Sequence, residues 1–166
     1  MNNVSLKNFL INLLIILFIF FVDRISKIYI LNLSELKNSL DIYVTPYLNL
    51  FLIWNKGVAF GLFSIDETII YRLITYIIAV IIFVLLIIMI KNNNIKRYFY
   101  SLIVGGALGN LYDRIFYSAV PDFIDLHYQD FHWFVFNVAD IFITIGVLCL
   151  ILVEVFSNNK FINEKD

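Results

Sequence analysis

The sequence holds one cysteine, two histidines and two prolines in 166 residues. A single cysteine, Cys149, excludes an internal disulfide and a multi-cysteine metal site. It sits in an apolar run and reads as a small packing residue. Two histidines and scattered acids leave little for metal chemistry, and no metal or cofactor is expected. There is no G-x-S-x-G, no H-E-x-x-H and no cysteine near a histidine, so the usual nucleophile and zinc-hydrolase patterns are missing. A net charge of −1 gives no basis for nucleic-acid binding. No segment repeats at a fixed period.

Apolar side chains are abundant: 61% of the residues are hydrophobic, and the mean hydropathy is +0.87. A soluble domain is nearer half apolar. The length allows one domain. The apolar residues come in blocks, so lipid is the expected solvent for much of the surface. Four blocks approach the roughly 20 residues that cross a bilayer: 9–31, 69–90, 99–115 and 134–156. The third, "FYSLIVGGALGNLYDRI", is the least apolar. The first follows Lys7, a thin basic region. Its apolar core is longer than that of a signal peptide and no A-x-A site follows, so it is expected to be retained.

Lysine and arginine near the helix ends set topology. Lys7 precedes the first block, Lys91, Lys96 and Arg97 lie between the second and third, and Lys160 and Lys165 follow the fourth. Residues 32–68 carry only Lys37 and Lys56, and 117–133 carry none. Both termini and the loop 91–98 are therefore expected in the cytoplasm, with 32–68 and 116–133 outside. From Asp41 to Asn55 apolar residues alternate with period two, which predicts a β element interrupted or edged at Pro46. Gly57 and Gly61 in "NKGVAFGLF" suggest turns or bulges.

The polar residues of the spans fall at one level. Asp23, Arg24 and Lys27 lie near the outer end of the first helix, and Asn110, Asp113 and Arg114 near that of the third. Asn137 and Asp140 lie near the outer start of the fourth. Ionisable groups in a spanning region are costly and mark function unless they pair. Asp23 and Lys27 have i,i+4 spacing and can pair on one face, and Asp113 or Asp23 can neutralise Arg114. Two acids, Asp122 and Asp140, are left with no basic residue between them. Asp125 and Asp130 read as solvated loop charges, and His127 and His132 as interfacial loop residues. Two carboxylates converging on one water cannot easily both ionise. One can accept a proton from water while the other donates to a carbonyl oxygen, which is aspartic-protease chemistry.

Four motifs occur in order: "DRISK" (23–27), "NKGVAFG" (55–61), "GGALGNLYDR" (105–114), and "VPDFID" with "FNVAD" (120–125 and 136–140). With them the chain resembles bacterial lipoprotein signal peptidase, the type II signal peptidase, over nearly its whole length. The resemblance implies an all-α integral membrane fold of four transmembrane helices with a small extracytoplasmic β-cradle and a short amphipathic helix. It implies an aspartyl endopeptidase that removes the signal peptide of prolipoproteins just before a lipid-modified cysteine, and sensitivity to globomycin. The catalytic dyad maps onto Asp122 and Asp140. Asn110, Arg114 and Asn137 match positions lining the site, and Asn55 and Gly57 match an outer loop that meets the ligand. Asp23 and Lys27 match a supporting pair, and Asp113 reads as a further structural polar residue. The expected partners are lipid-modified prolipoproteins and membrane lipid, and the expected state is a monomer in the bacterial cytoplasmic membrane. Pro121 departs from the family's small aliphatic residue; it removes an N–H and biases Val120 to extended backbone. A small transporter or proton relay is the main rival reading, and a structural membrane protein the second.

Overall fold

The computed structural model of the chain describes residues 6–37, 39–57 and 67–163. Four helices, α1 (Leu6–Lys37), α2 (Glu67–Lys91), α3 (Lys96–Tyr117) and α4 (Val138–Asn163), accompany four strands. The strands are β1 (Asp41–Thr45), β2 (Leu48–Asn55), β3 (Val120–Tyr128) and β4 (Phe131–Phe136). They form one antiparallel sheet in the order β1-β2-β3-β4. The sheet thus joins two hairpins that α2 and α3 separate in sequence.

α1, α2 and α4 are each long and apolar enough to cross a membrane. Their outward faces carry exposed Phe, Leu and Ile, among them Phe18, Ile81 and Leu152. A helix suits such a solvent because its backbone groups are satisfied within the segment. α3 does not reach that hydropathy, and the reason is its position. It packs against α1, α2 and α4, and buries Ser101, Val104, Asn110 and Asp113 among them. A helix shielded by its neighbours can carry polar groups that a lipid-facing helix cannot.

The "GGALG" run of α3 permits this packing. A Cβ at Gly105 would lie 2.9 Å from Ile19 Cβ on α1, and one at Gly106 would lie 2.5 Å from the Ala139 carbonyl oxygen on α4. Gly109 leaves room for the Asp23 carboxylate. Small residues at such spacing let helix backbones approach closely.

The period-two stretch at 41–55 is a hairpin, with Thr45 paired to Leu48 and Pro46 in the turn between them. A second hairpin occupies most of the stretch expected as an outer loop, 116–133. β3 and β4 close at Tyr128 and Phe131 through a turn in which Gln129 has a φ of 54°. The fourth helix accordingly starts at Val138 and not at Phe134. The cause is visible in "FHWFVF": it is apolar enough to merge with the helix that follows, while its aromatic and β-branched residues favour a strand. Gly57 has a φ of +72°, which suits glycine at the end of β2. Gly61 lies outside the described residues, and no separate short amphipathic helix occurs among those described. Ile30, Leu40 and Phe123 form a buried cluster with Ile42, Leu50 and Val138 packed on it, seating the sheet on the ends of α1 and α4.

Gly106→Ala is expected to force α3 and α4 apart and to destabilise the protein by about 1–3 kcal/mol, the range for overpacking. Thermal unfolding in detergent measures it; an unchanged midpoint would mean that the two helices can part without loss.

Candidate active site

The site begins at a buried ammonium. Lys27 is completely buried on α1. Its Nζ donates to Asp23 Oδ2 at 2.9 Å, to Asp113 Oδ2 at 2.7 Å and to Asn110 Oδ1 at 2.9 Å. An ammonium has three donors and no acceptor, so this set is complete. Arg24 Nη2 lies 2.6 Å from Asp113 Oδ1 and 3.2 Å from Asp23 Oδ2, and its guanidinium covers the Tyr112 ring at 4.7 Å. Two cations thus face two anions inside the helix bundle. The expected Asp23–Lys27 pair is present, whereas Asp113 pairs with Lys27 and Arg24 rather than with Arg114.

From Lys27 the bonding runs to Asp140. The Asn110 oxygen is taken by Lys27, so its Nδ2 faces the other way and donates to Asp140 Oδ1 at 2.8 Å. Asp140 Oδ2 accepts the Asn137 backbone N–H at 3.1 Å, and Asn137 Oδ1 accepts the Asp140 N–H at 3.1 Å. This is a capping box at the start of α4, with Asn137 at the cap and Asp140 three residues on. The positive end of the helix dipole favours a carboxylate there. Asp23 Oδ1 accepts a further N–H of that first turn, from Ala139, at 3.0 Å.

The cap leaves the Asn137 Nδ2 available, and it donates to Asp122 Oδ1 at 2.6 Å. Asn137 therefore touches both Asp122 and Asp140. Asp122 lies on β3 opposite Ile53 of β2, and its Oδ2 accepts from Asn55 Nδ2 at 2.9 Å. Asn55 Oδ1 in turn accepts the Gly57 N–H at 2.7 Å. Neither Asp122 nor Asp140 has an ion pair among the described residues. Burial pushes the Asp122 carboxyl up from its ordinary pKa. The bonds from Asn137 and Asn55 oppose that rise, and the charge of Asp140 adds to it.

Arg114 sits at the edge of this group. Its Nη1 donates to the Asn110 carbonyl at 3.3 Å, and its Nη2 lies 3.7 Å from where a Cβ at Gly57 would stand. Its own carbonyl accepts from Tyr71 Oη at 3.0 Å. Pro121 is opposite Trp54 on β2, and β4 reaches no further than Ile124. β3 therefore has one neighbour at Pro121, where a missing N–H is tolerated.

The family model described as signal peptidase (SPase) II matches residues 15–156. The chain belongs to the signal peptidase II family. It is 66% identical, over all of both chains, to a lipoprotein signal peptidase of Pelagibacter ubique. It is 41% identical to that of Anaplasma phagocytophilum, covering 90% of this chain and 94% of the relative. A bacterial membrane enzyme solved at 2.3 Å superposes with a TM-score of 0.70 at 30% identity, covering 90% of each chain.

The structure brings described residues of the four motif regions together: Lys27 bonds Asn110, Asn110 bonds Asp140, Asn137 bonds Asp122, and Asp122 bonds Asn55. Sequence reasoning missed the contribution of Arg24, although "DRISK" contains it. It also missed the cap at Asn137, whose signal was an Asn three residues before an Asp at the head of an apolar run. Asp125 is not a solvated loop charge: it is buried within β3. Asp130 is exposed, in the turn.

Lys27→Met removes one of two cations facing Asp23 and Asp113. It is expected to cost about 3–5 kcal/mol, as for a broken buried ion pair, read as a lowered unfolding midpoint in detergent. Wild-type stability in this variant would show that Arg24 alone balances both acids.

Proposed function

We propose that this chain is a membrane-embedded aspartyl endopeptidase. It removes signal peptides from prolipoproteins on the N-terminal side of the lipid-modified cysteine, with Asp122 and Asp140 as the catalytic pair. The observation that carries the reading is that one asparagine, Asn137, bonds both carboxylates while no cation pairs with either among the described residues. The family and its named relatives supply the reaction, and the geometry supplies a means.

Two acids this placed share one proton between them. The ionised member takes a proton from water as the water oxygen bonds to the scissile carbonyl carbon. The protonated member gives its proton to the carbonyl oxygen, forming a neutral diol. The proton taken from water then passes to the amide nitrogen as the C–N bond breaks, a diol hydroxyl returns its proton to the other aspartate, and a carboxylic acid and an amine leave. Asn110, Asn137 and Asn55 hold the carboxylates by neutral amide donors. Arg114, whose Nη2 lies beside Gly57, orients the substrate backbone in this reading.

In this reading all four helices span the bilayer as one membrane domain, α3 inside the other three. The sheet and the dyad lie at the outer face and both termini in the cytoplasm. Exposed Phe131, Trp133 and Phe134 on β4 suit a membrane surface. The substrate's signal helix enters from the lipid, its acyl chains remain in the outer leaflet, and one copy of the chain suffices.

Asp122→Asn and Asp140→Asn are each expected to abolish cleavage of a lipidated prolipoprotein, scored by gel shift with purified protein. Turnover by either variant would remove that residue from the dyad. A second measurement concerns acidity. Asn55 stabilises the ionised Asp122, so Asn55→Ala raises that pKa further, and the pH profile of kcat/KM is expected to move to higher pH. A profile that stays in place, with activity merely lowered, would leave Asn55 a substrate contact only.

A further inference from the structure

The hairpin of β3 and β4 gathers three side chains that the proposed reaction does not use. His127 and His132 are directly opposed across the two strands. Their rings stack at 5.1 Å with an interplanar angle of 24°. Asp125 precedes His127 by two positions on β3, across a register shift in the pairing with β4. Asp125 Oδ2 lies 2.9 Å from His132 Nδ1 and 3.9 Å from His127 Nδ1. One ligand atom from each of the three lies within 4.8 Å of the other two.

A hydrogen bond between His132 and Asp125 does not complete this group. His127 Nδ1 and Asp125 Oδ1 are both buried and have no partner among the described residues. Asp125 itself is 5% exposed. Unpaired buried polar atoms are unfavourable, and here two of them belong to one cluster. Asn49, which pairs with Asp125 in register, also has an unpartnered Oδ1. Asp41, Asn49, Asp125 and His132 line one cavity of about 350 Å³, so an ion has access from solvent.

We propose that Asp125, His127 and His132 form a binding site for a divalent cation of the zinc class, on the sheet and apart from the dyad. Two imidazoles and one carboxylate are a donor set that such an ion prefers. The ligand atoms need to close to the roughly 2.0–2.2 Å bond lengths of zinc. His132, whose side chain is 56% exposed, is free to make that movement. The fourth position is left to water, which the cavity beside Asp125 and His132 admits. The ion would tie β3 to β4 and satisfy both unpartnered atoms. Each imidazole would bind it through an unprotonated ring nitrogen.

The test uses the full chain purified in detergent, without a histidine tag, stripped with chelator and titrated with Zn²⁺ by calorimetry. Binding of one ion per chain is expected. His127→Ala, His132→Ala and Asp125→Asn should each weaken it by about tenfold or more, the scale on which metal sites respond to lost partners. Asp130→Asn, in the exposed turn, should leave it unchanged. Cleavage activity and the unfolding midpoint of the metal-free variants verify that each is folded; His132→Ala, at an exposed position, carries the decision if another fails. Absence of saturable binding, or binding that His132→Ala retains at full strength, overturns the proposal.

Discussion

The ammonium of Lys27 is the constraint on which the rest depends. Buried without partners, it would be very costly in an apolar bundle. Its three donors therefore fix three acceptors on two helices, and each acceptor has a second commitment. Asp23 uses its other oxygen to hold the first turn of α4. Asp113 uses its other oxygen to hold Arg24. Asn110 gives its oxygen to Lys27 and so must turn its N–H₂ toward Asp140. An amide could otherwise present either end. The cation thus decides, one residue removed, that Asp140 is met by a donor.

That indirect arrangement has an electrostatic consequence. A lysine or arginine bonded straight to either Asp122 or Asp140 would favour both as anions and oppose a shared proton. Amide donors orient a carboxylate with a smaller effect on its charge state. The cations are present, but Asp23 and Asp113 balance them, and Asn110 stands between them and Asp140. Burial pushes the Asp122 carboxyl up, against the opposing bonds from Asn137 and Asn55.

Much of this was legible in the sequence because polar residues in an oily chain are conspicuous. The level shared by Asp23, Lys27, Asn110, Asp113, Asn137 and Asp140 follows from where they fall in their blocks. The alternation at 41–55 announced its hairpin, and Pro46 its turn. What was hidden depends on partners distant in sequence. Asp113 had Arg114 beside it in the chain, yet the helix turns Asp113 toward α1, where Lys27 and Arg24 wait. Asp125 looked like a loop charge because "DLHYQDFHW" is rich in polar residues; pairing with β2 and β4 buries it. β4 itself escaped notice because hydropathy registers how apolar a stretch is, not whether it is extended.

The two carboxylates reach Asn137 from different environments. Asp122 comes from a strand of the sheet, and Asp140 from the first turn of a helix apolar enough to cross a membrane. A strand alone would set Asp122 beside solvent, where its pKa would stay ordinary. A helix interior would set Asp140 where water does not reach it. The chain passes between these environments in the single residue Asn137, between the end of β4 and the start of α4. Its backbone N–H and side-chain oxygen belong to the helix cap, and its side-chain N–H₂ reaches the sheet. The junction that starts the last helix is therefore also the junction that brings the two acids together.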